Sequence, residues 1–334
     1  MADGQPQERR FANPEFELTE VHSTGRELGR GAYGCIEEVR FCGALCAAKK
    51  IHNEFFGIGS AEERQHVTSM FMREFNVMST LRHPNVVQLF GIYHFHGSVL
   101  PSIVMERMDT CLHELLTSTN KLSTATKISV LLDVARGLHY LHCHDPIVIH
   151  RDLTARNVLL TSAGCAKIAD MGVARVLELK PGHSAATMTY GPGNICYMPP
   201  EATDSPPQYN ESIDIFSFGH LSLFVFTQVF PDLRAPTCIN ATTGNVEAII
   251  EIERRKESFD SLRELLSEED NIIALATRCL QNNPSHRPEA IHLVQQLEES
   301  VKIHGCSTVS KVLLYCTFSK NLALLIIWHP LPND

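Results

Sequence analysis

The chain has 334 residues, 44% of them hydrophobic and 20% charged. This is a length of about two domains and a composition that excludes wholesale disorder and a collagen-like fibre. Its 29 Lys plus Arg against 38 Asp plus Glu leave a net charge of −9, which argues against a general binder of nucleic acid or of anionic membranes. The 11 cysteines are odd in number, contain no C-x-x-C and follow no apolar leader between Met1 and Arg10. Reduced thiols and a cytoplasmic location are therefore expected.

In chain order, residues 1–20 are polar and read as a flexible arm. Short apolar or alternating runs over Tyr33–Phe41 and Leu45–Ile51, split around Gly43, predict two strands. Apolar positions at Val67, Met70, Phe71, Phe75 and Met78 predict a helix over about Glu62–Leu81, ended by His83-Pro84-Asn85 because Pro cannot continue it. Strand-like runs follow at Val86–Phe95 and Val99–Met105. Beyond residue 110 the pattern turns helical. Ile128, Leu131, Leu132, Ala135, Leu138 and Leu141 recur at three and four over Thr124–His142, and further helices are predicted at Ile213–Val229, Val246–Arg255, Asn271–Leu280 and Pro288–Val301. A strand-rich first lobe and a larger helical second lobe leave a cleft between them, a natural place for a ligand. In the tail, Val312–Trp328 is apolar but interrupted by Lys320 and Asn321. Its uninterrupted runs fall well short of the roughly 20 residues of a membrane span, so no membrane segment is expected there.

Two stretches carry chemistry. Gly29-Arg30-Gly31-Ala32-Tyr33-Gly34 spells G-x-G-x-x-G, a spacing that lets backbone approach phosphate closely. A dinucleotide-binding fold needs a helix directly after the third glycine. Here Cys35–Phe41 reads as a strand, which disfavours a nicotinamide dehydrogenase. The second stretch is His150-Arg151-Asp152-Leu153-Thr154-Ala155-Arg156-Asn157, followed in order by Asp170-Met171-Gly172, Pro199-Pro200-Glu201, Asp214-Ile215-Phe216-Ser217-Phe218-Gly219 and Arg287-Pro288. With this ordered set, and with Lys49 in Cys46-Ala47-Ala48-Lys49, the chain from about residue 24 to 303 resembles the eukaryotic protein kinase family, and the tyrosine-kinase-like group within it.

The resemblance implies an α+β, bilobal fold. A kinase domain over 21–303 would have a small β-rich N-lobe at about 21–105 and a larger, mostly α-helical C-lobe at about 109–303, with the 304–334 tail of unassigned role. It implies ATP and Mg²⁺ as cofactors and a protein as substrate, with no role for nucleic acid. Such a reaction must neutralise a triphosphate and align it with an attacking hydroxyl. By resemblance Lys49 neutralises phosphates and Glu74 holds it in place. Asn157 and Asp170 ligate the metal, and Asp152 orients or accepts the proton of the substrate hydroxyl. Leu28, Gly29, Gly31 and Gly34 form the glycine-rich cover. Ile36, Ala47 and Leu159 sandwich the adenine, Met105 is the gatekeeper, and Glu106, Arg107 and Met108 form the hinge. Met78, Leu89, His150 and Met171 match an internal spine, and Glu201 and Arg287 a buried ion pair. The interval from Lys49 to Glu74 is long, which predicts an extended loop around Phe56–Ala61.

The chain also departs from the pattern. Thr154 stands where serine/threonine kinases usually carry Lys, and Arg156 where tyrosine kinases often carry Arg. Tyr197-Met198-Pro199-Pro200-Glu201 resembles the tyrosine-kinase-like group, most of which modify Ser or Thr. Asn194 replaces a usual Thr, and Phe216 a usual Trp. The reading favours Ser/Thr transfer, with a tyrosine or dual-specificity kinase and a pseudokinase scaffold as alternatives. Ser184, Thr187, Thr189 and Tyr190 are candidate activating phosphosites, with Arg151 as the natural phosphate partner. The cluster His139, His142, Cys143 and His144 looks superficially metal-like but lacks ligand spacing.

Overall fold

The computed structural model describes residues 16–30, 34–52, 61–118, 122–172, 174–177, 197–203, 210–227 and 271–303. The predicted helix at Val246–Arg255, Gly31, Phe56–Ser60, the four candidate phosphosites, Asn194 and the 304–334 tail lie outside them.

The first lobe is a five-stranded sheet of β1 (His22–Arg30), β2 (Gly34–Phe41), β3 (Ala44–Ile51), β4 (Leu89–Tyr93) and β5 (Ser102–Glu106). Its order is β1-β2-β3-β5-β4, antiparallel throughout. β2 and β3 pair without a slip from Gly34↔Ile51 to Phe41↔Ala44. β1, mostly exposed, slips twice against β2. The predicted runs Val86–Phe95 and Val99–Met105 shorten to β4 and β5, because a turn in which the Ser98 N–H donates to the Phe95 carbonyl oxygen at 3.0 Å separates them.

Helix α1 (Ala61–Thr80) buries Val67, Phe71, Phe75 and Met78 on one face, as the apolar spacing predicts, together with the charged Glu74. The turn after α1 docks on the second lobe. His83 stacks on Tyr140 with ring centroids 4.8 Å apart, and the Tyr140 hydroxyl accepts the Arg82 N–H at 2.8 Å. Burial, helped by the positive charge of Arg136, pushes the His83 imidazole down to about 4. As pH falls through 6.5 the unfolded chain takes up this proton before the folded chain does, so the stabilisation from neutral His83 is complete above 6.5 and is lost progressively towards 4. The melting temperature of a His83→Gln variant is therefore expected to fall less between pH 6.5 and 4 than that of the wild type. Parallel melting profiles would refute this.

The second lobe is built on α3 (Thr124–His142), which runs as predicted. Ser123 caps it by accepting the Thr126 N–H at 3.1 Å, which satisfies one of the orphan donors of a first turn. α3 packs along α6 (Ala290–Ile303), where Arg136 pairs with Glu298 at 2.8 Å. Short strands missed by pattern reading flank it. β6 (Thr110–Cys111), β8 (Val158–Leu160) and β9 (Ala166–Ile168) form one sheet, and β7 (Ile147–Ile149) pairs with β10 (Arg175–Leu177). α2 (Leu112–Thr117) follows β6, with the Cys111 thiol accepting the Glu114 N–H at 3.4 Å. α4 (Ser212–Thr227) is apolar on nearly every side and correspondingly buried, and it packs on α5 (Asn271–Cys279). A helix hydrophobic all round belongs in a core. No helix of the described residues is long and apolar enough to cross a membrane.

Part of the predicted flexible arm, residues 16–20, belongs to the described structure. Phe16 and Leu18 pack on the first lobe, because their alternation with Glu17 fits a sheet edge.

Candidate active site

The cleft between the lobes is a cavity of about 670 Å³, within the size range of sites that bury a small ligand. Every predicted site residue among the described ones lines it: Leu28, Gly29, Gly34 and Ile36 of the β1–β2 roof; Ala47 and Lys49 of β3; Glu74 of α1; Met105, Glu106 and Met108 at the lobe crossing; and Asp152, Asn157, Leu159 and Asp170 below. A Cβ at Gly34 would lie 2.0 Å from the Lys50 carbonyl oxygen, so only glycine lets the roof cross β3 so closely.

Lys49 is the meeting point of three distant stretches. Its Nζ donates to Glu74 Oε1 and Oε2 at 2.7 and 2.8 Å and to Asp170 Oδ1 at 3.1 Å. Burial alone would make the amine easier to deprotonate, but the two carboxylates reverse this and raise its pKa. Burial raises the Glu74 carboxyl. At Asp170 burial acts in the same direction, but the Lys49 charge outweighs it and keeps the carboxyl below its ordinary range. Asp170 faces the cleft with 48% of its side chain exposed. It adopts φ 65°, as Arg151 adopts φ 69°. Left-handed backbone at non-glycine residues is costly and gathers at functional sites.

The loop beneath is pinned by Asp214, a fully buried carboxylate on the first turn of α4. It accepts the backbone N–H groups of His150 and Arg151, each at 2.8 Å, and contacts His142 Nε2 at 3.0 Å. Burial pushes this carboxyl up, but the His142 hydrogen bond and the nearby imidazole charge outweigh it, so the net shift is down. His142 thus serves Asp214, and among the described residues no cluster could hold a metal ion through three or more His, Cys, Asp or Glu side chains. His150 is wholly buried. Its Nδ1 accepts the Asp152 N–H at 3.2 Å and its Nε2 lies 2.9 Å from the Ala169 carbonyl oxygen. These two contacts assign the ring proton to Nε2. Asn157 donates through Nδ2 to both the backbone oxygen and Oδ2 of Asp152 at 2.8 Å. That fixes its amide orientation and leaves Oδ1, a hard oxygen donor, for a cation.

The predicted spine residues Met78, Leu89, His150 and Met171 are all buried. Met171 fills the place of the usual aromatic ring, as a flexible thioether can. Thr154 is buried, whereas Arg156 lines the cleft with its guanidinium 3.3 Å from His113 Nε2. The Glu201–Arg287 pair forms as predicted, with Arg287 Nη2 2.8 Å from Glu201 Oε2.

Sequence reasoning missed the charge lattice at the crossing. Glu106 pairs with Lys167 of β9 at 2.7 Å, and its N–H donates to the Gln88 carbonyl oxygen at 2.9 Å. Arg107 bridges Glu38 of β2 and Asp109, both at 2.8 Å. Asp109 Oδ2 in turn accepts the Ser162 N–H at 2.6 Å. The sequence shows Glu38 only as an acid within a predicted strand, which does not reveal its pairing.

Residues 22–297 match the family model described as protein tyrosine and serine/threonine kinase. Among curated proteins the chain is similar to serine/threonine-protein kinase VIK of Arabidopsis thaliana, 28% identical over 85% of this chain and 61% of that one. It is also similar to probable serine/threonine-protein kinase drkC of Dictyostelium discoideum, 31% identical over 86% and 36%, and to LysM domain receptor-like kinase 10 of Oryza sativa, 28% identical over 82% and 44%. The chain thus spans between about a third and three fifths of the length of these relatives. With the model matched across both lobes and its motif residues converging on one cleft, the chain belongs to the eukaryotic protein kinase family.

Proposed function

We propose that this chain is an active protein kinase of the tyrosine-kinase-like group, transferring the γ-phosphoryl group of Mg-ATP to a Ser or Thr hydroxyl of a protein, through a domain over 21–303 in a cytoplasmic protein. The observation that carries the reading is Lys49 held between Glu74 and Asp170 above the Asp152–Asn157 pair. The donor set fits the cofactor. The cation of Lys49 and the roof backbone suit phosphates, and the Asp170 carboxylate with the Asn157 amide oxygen suits Mg²⁺. Bound Mg-ATP supplies the transferable phosphoryl group and the metal charge that offsets its oxygens.

The rest is done by the chain's own residues. Lys49 neutralises phosphate charge. Asp152, acceptor-only when ionised and fixed by Asn157, orients the substrate hydroxyl and takes up its proton. The pinned loop fixes where the hydroxyl sits, so catalysis is mainly positioning and electrostatics. A complete set of these groups stands against the pseudokinase reading. The names of the relatives support Ser/Thr transfer. Arg156 at the cleft with Thr154 turned inward is the observation that favours tyrosine or dual specificity.

Incubation with γ-labelled ATP, Mg²⁺ and a mixed peptide set, followed by phosphoamino-acid analysis, tests both levels. Labelled phosphoserine or phosphothreonine is expected. Phosphotyrosine alone would overturn the acceptor assignment, and no incorporation would overturn the enzyme.

A further inference from the structure

The residues just ahead of β1 are fastened to the edge of the first-lobe sheet. Glu17 pairs in parallel with Ile92 of β4, the edge strand, and the Leu18 N–H donates to the Ile92 carbonyl oxygen at 2.9 Å. The two flanking side chains go to different clusters. Leu18 packs with Val21, Val39 and Val104. Phe16 joins the main core, its ring 5.6 Å from that of Phe75 and edge-on at 89°. Phe75 is buried on α1, directly after Glu74. Where the segment crosses β4 the strand carries Gly91. A Cβ there would lie 2.3 Å from the Phe16 carbonyl oxygen and 2.8 Å from Leu18 Cδ2, and its three nearest atoms all belong to these two residues. The close approach therefore depends on the missing side chain.

We propose that Phe16–Leu18 form a strap that holds α1 where Glu74 reaches Lys49, which makes Phe16 a positioning residue for phosphoryl transfer. α1 is held to the sheet by side-chain packing and by the Glu74–Lys49 ion pair. Lys49 also bonds Asp170, so the Glu74 contact depends on where the packing of α1 places that carboxylate. The Phe16–Phe75 edge contact falls one residue from Glu74 and so fixes the helix where that carboxylate leaves it. This inference rests on the kinase reading for its catalytic consequence, though not for the mechanical coupling itself.

The test uses the full chain with Phe16→Ala and Gly91→Ala, the second displacing the strap without removing its aromatic ring. Each is expected to lower kcat by up to about tenfold, the scale of one aromatic edge contact, with KM for the peptide unchanged and with Phe16→Tyr restoring the rate. In a Glu74→Gln background neither variant should lower kcat further, since the strap acts through that carboxylate. Losses that multiply with that of Glu74→Gln, or full kcat in both variants, would overturn the proposal. Should the wild type transfer no phosphate, the kinase reading is what fails, and amide hydrogen exchange across Ala61–Thr80 decides the strap. Faster exchange in both variants supports it, and unchanged exchange overturns it.

Discussion

Exchange of Asp152 for Asn is expected to slow phosphoryl transfer by about a thousandfold, within the range that a positioned acid–base group contributes, while leaving nucleotide affinity essentially unaltered. The substitution keeps the shape of the side chain and one oxygen able to accept from Asn157 Nδ2, which lies 2.8 Å from Asp152 Oδ2. It leaves intact the anchoring of the His150 and Arg151 amides on Asp214 and the bond of the Asp152 N–H to His150. What it removes is the negative charge that takes up the hydroxyl proton. Lys49 and the lobe crossing are untouched, so a nucleotide titration is expected to overlay that of the wild type. Single-turnover transfer to peptide, run beside that titration, is the check, and an undiminished rate would sink the assignment of Asp152.

The largest loss of stability is expected from Arg287→Ala. The Arg287 side chain has no exposed surface. Its guanidinium pairs with Glu201 through both terminal nitrogens, donates through Nε to the Gln281 carbonyl oxygen at 2.8 Å and through Nη1 to that of Ser212 at 3.1 Å. It also lies 4.9 Å from the centre of the Phe216 ring, so the phenyl receives the cation on its face. Truncation strands the buried Glu201 carboxylate and leaves these acceptors unmatched. Breaking one partner of a buried pair costs about 3–5 kcal/mol, which corresponds to a fall in melting temperature of roughly 6–20 °C for a domain of this size. Arg287→Lys is expected to recover only part of the loss, because a point charge cannot make the forked contact. Calorimetric or fluorescence melting of both variants measures it, and a melting temperature unmoved by Arg287→Ala would refute the account.

The chemistry-bearing residues were legible because each sits in a motif whose neighbours identify it. The structure brings Lys49, Glu74, Asp152, Asn157 and Asp170 into one cavity from four separate stretches. α3 was legible for a different reason, since a 19-residue helix displays its three-and-four spacing over several turns and opens with a serine cap. β6 to β10, at two or three residues each, are too short for any period to show. The role of Asp214 was hidden for another reason. The sequence displays an acid at the start of an apolar helix, but the backbone amides it accepts lie 63 and 64 residues away. The same holds for Arg107, whose partner Glu38 is 69 residues upstream. Phe16 was lost in a polar stretch, because a single alternation of two apolar residues is below what pattern reading can separate from an unstructured arm. In each case the information resides in long-range pairing, which local periodicity does not encode.

The lattice of Glu38, Arg107, Asp109, Glu106 and Lys167 has a mechanical corollary. Stiffness is unevenly shared around the cavity. The joint is cross-braced by opposite charges on both sides, whereas the ceiling strand β1 is mostly exposed and twice out of step with β2. The two halves are thus held at their crossing by paired charges in addition to the chain that runs between them.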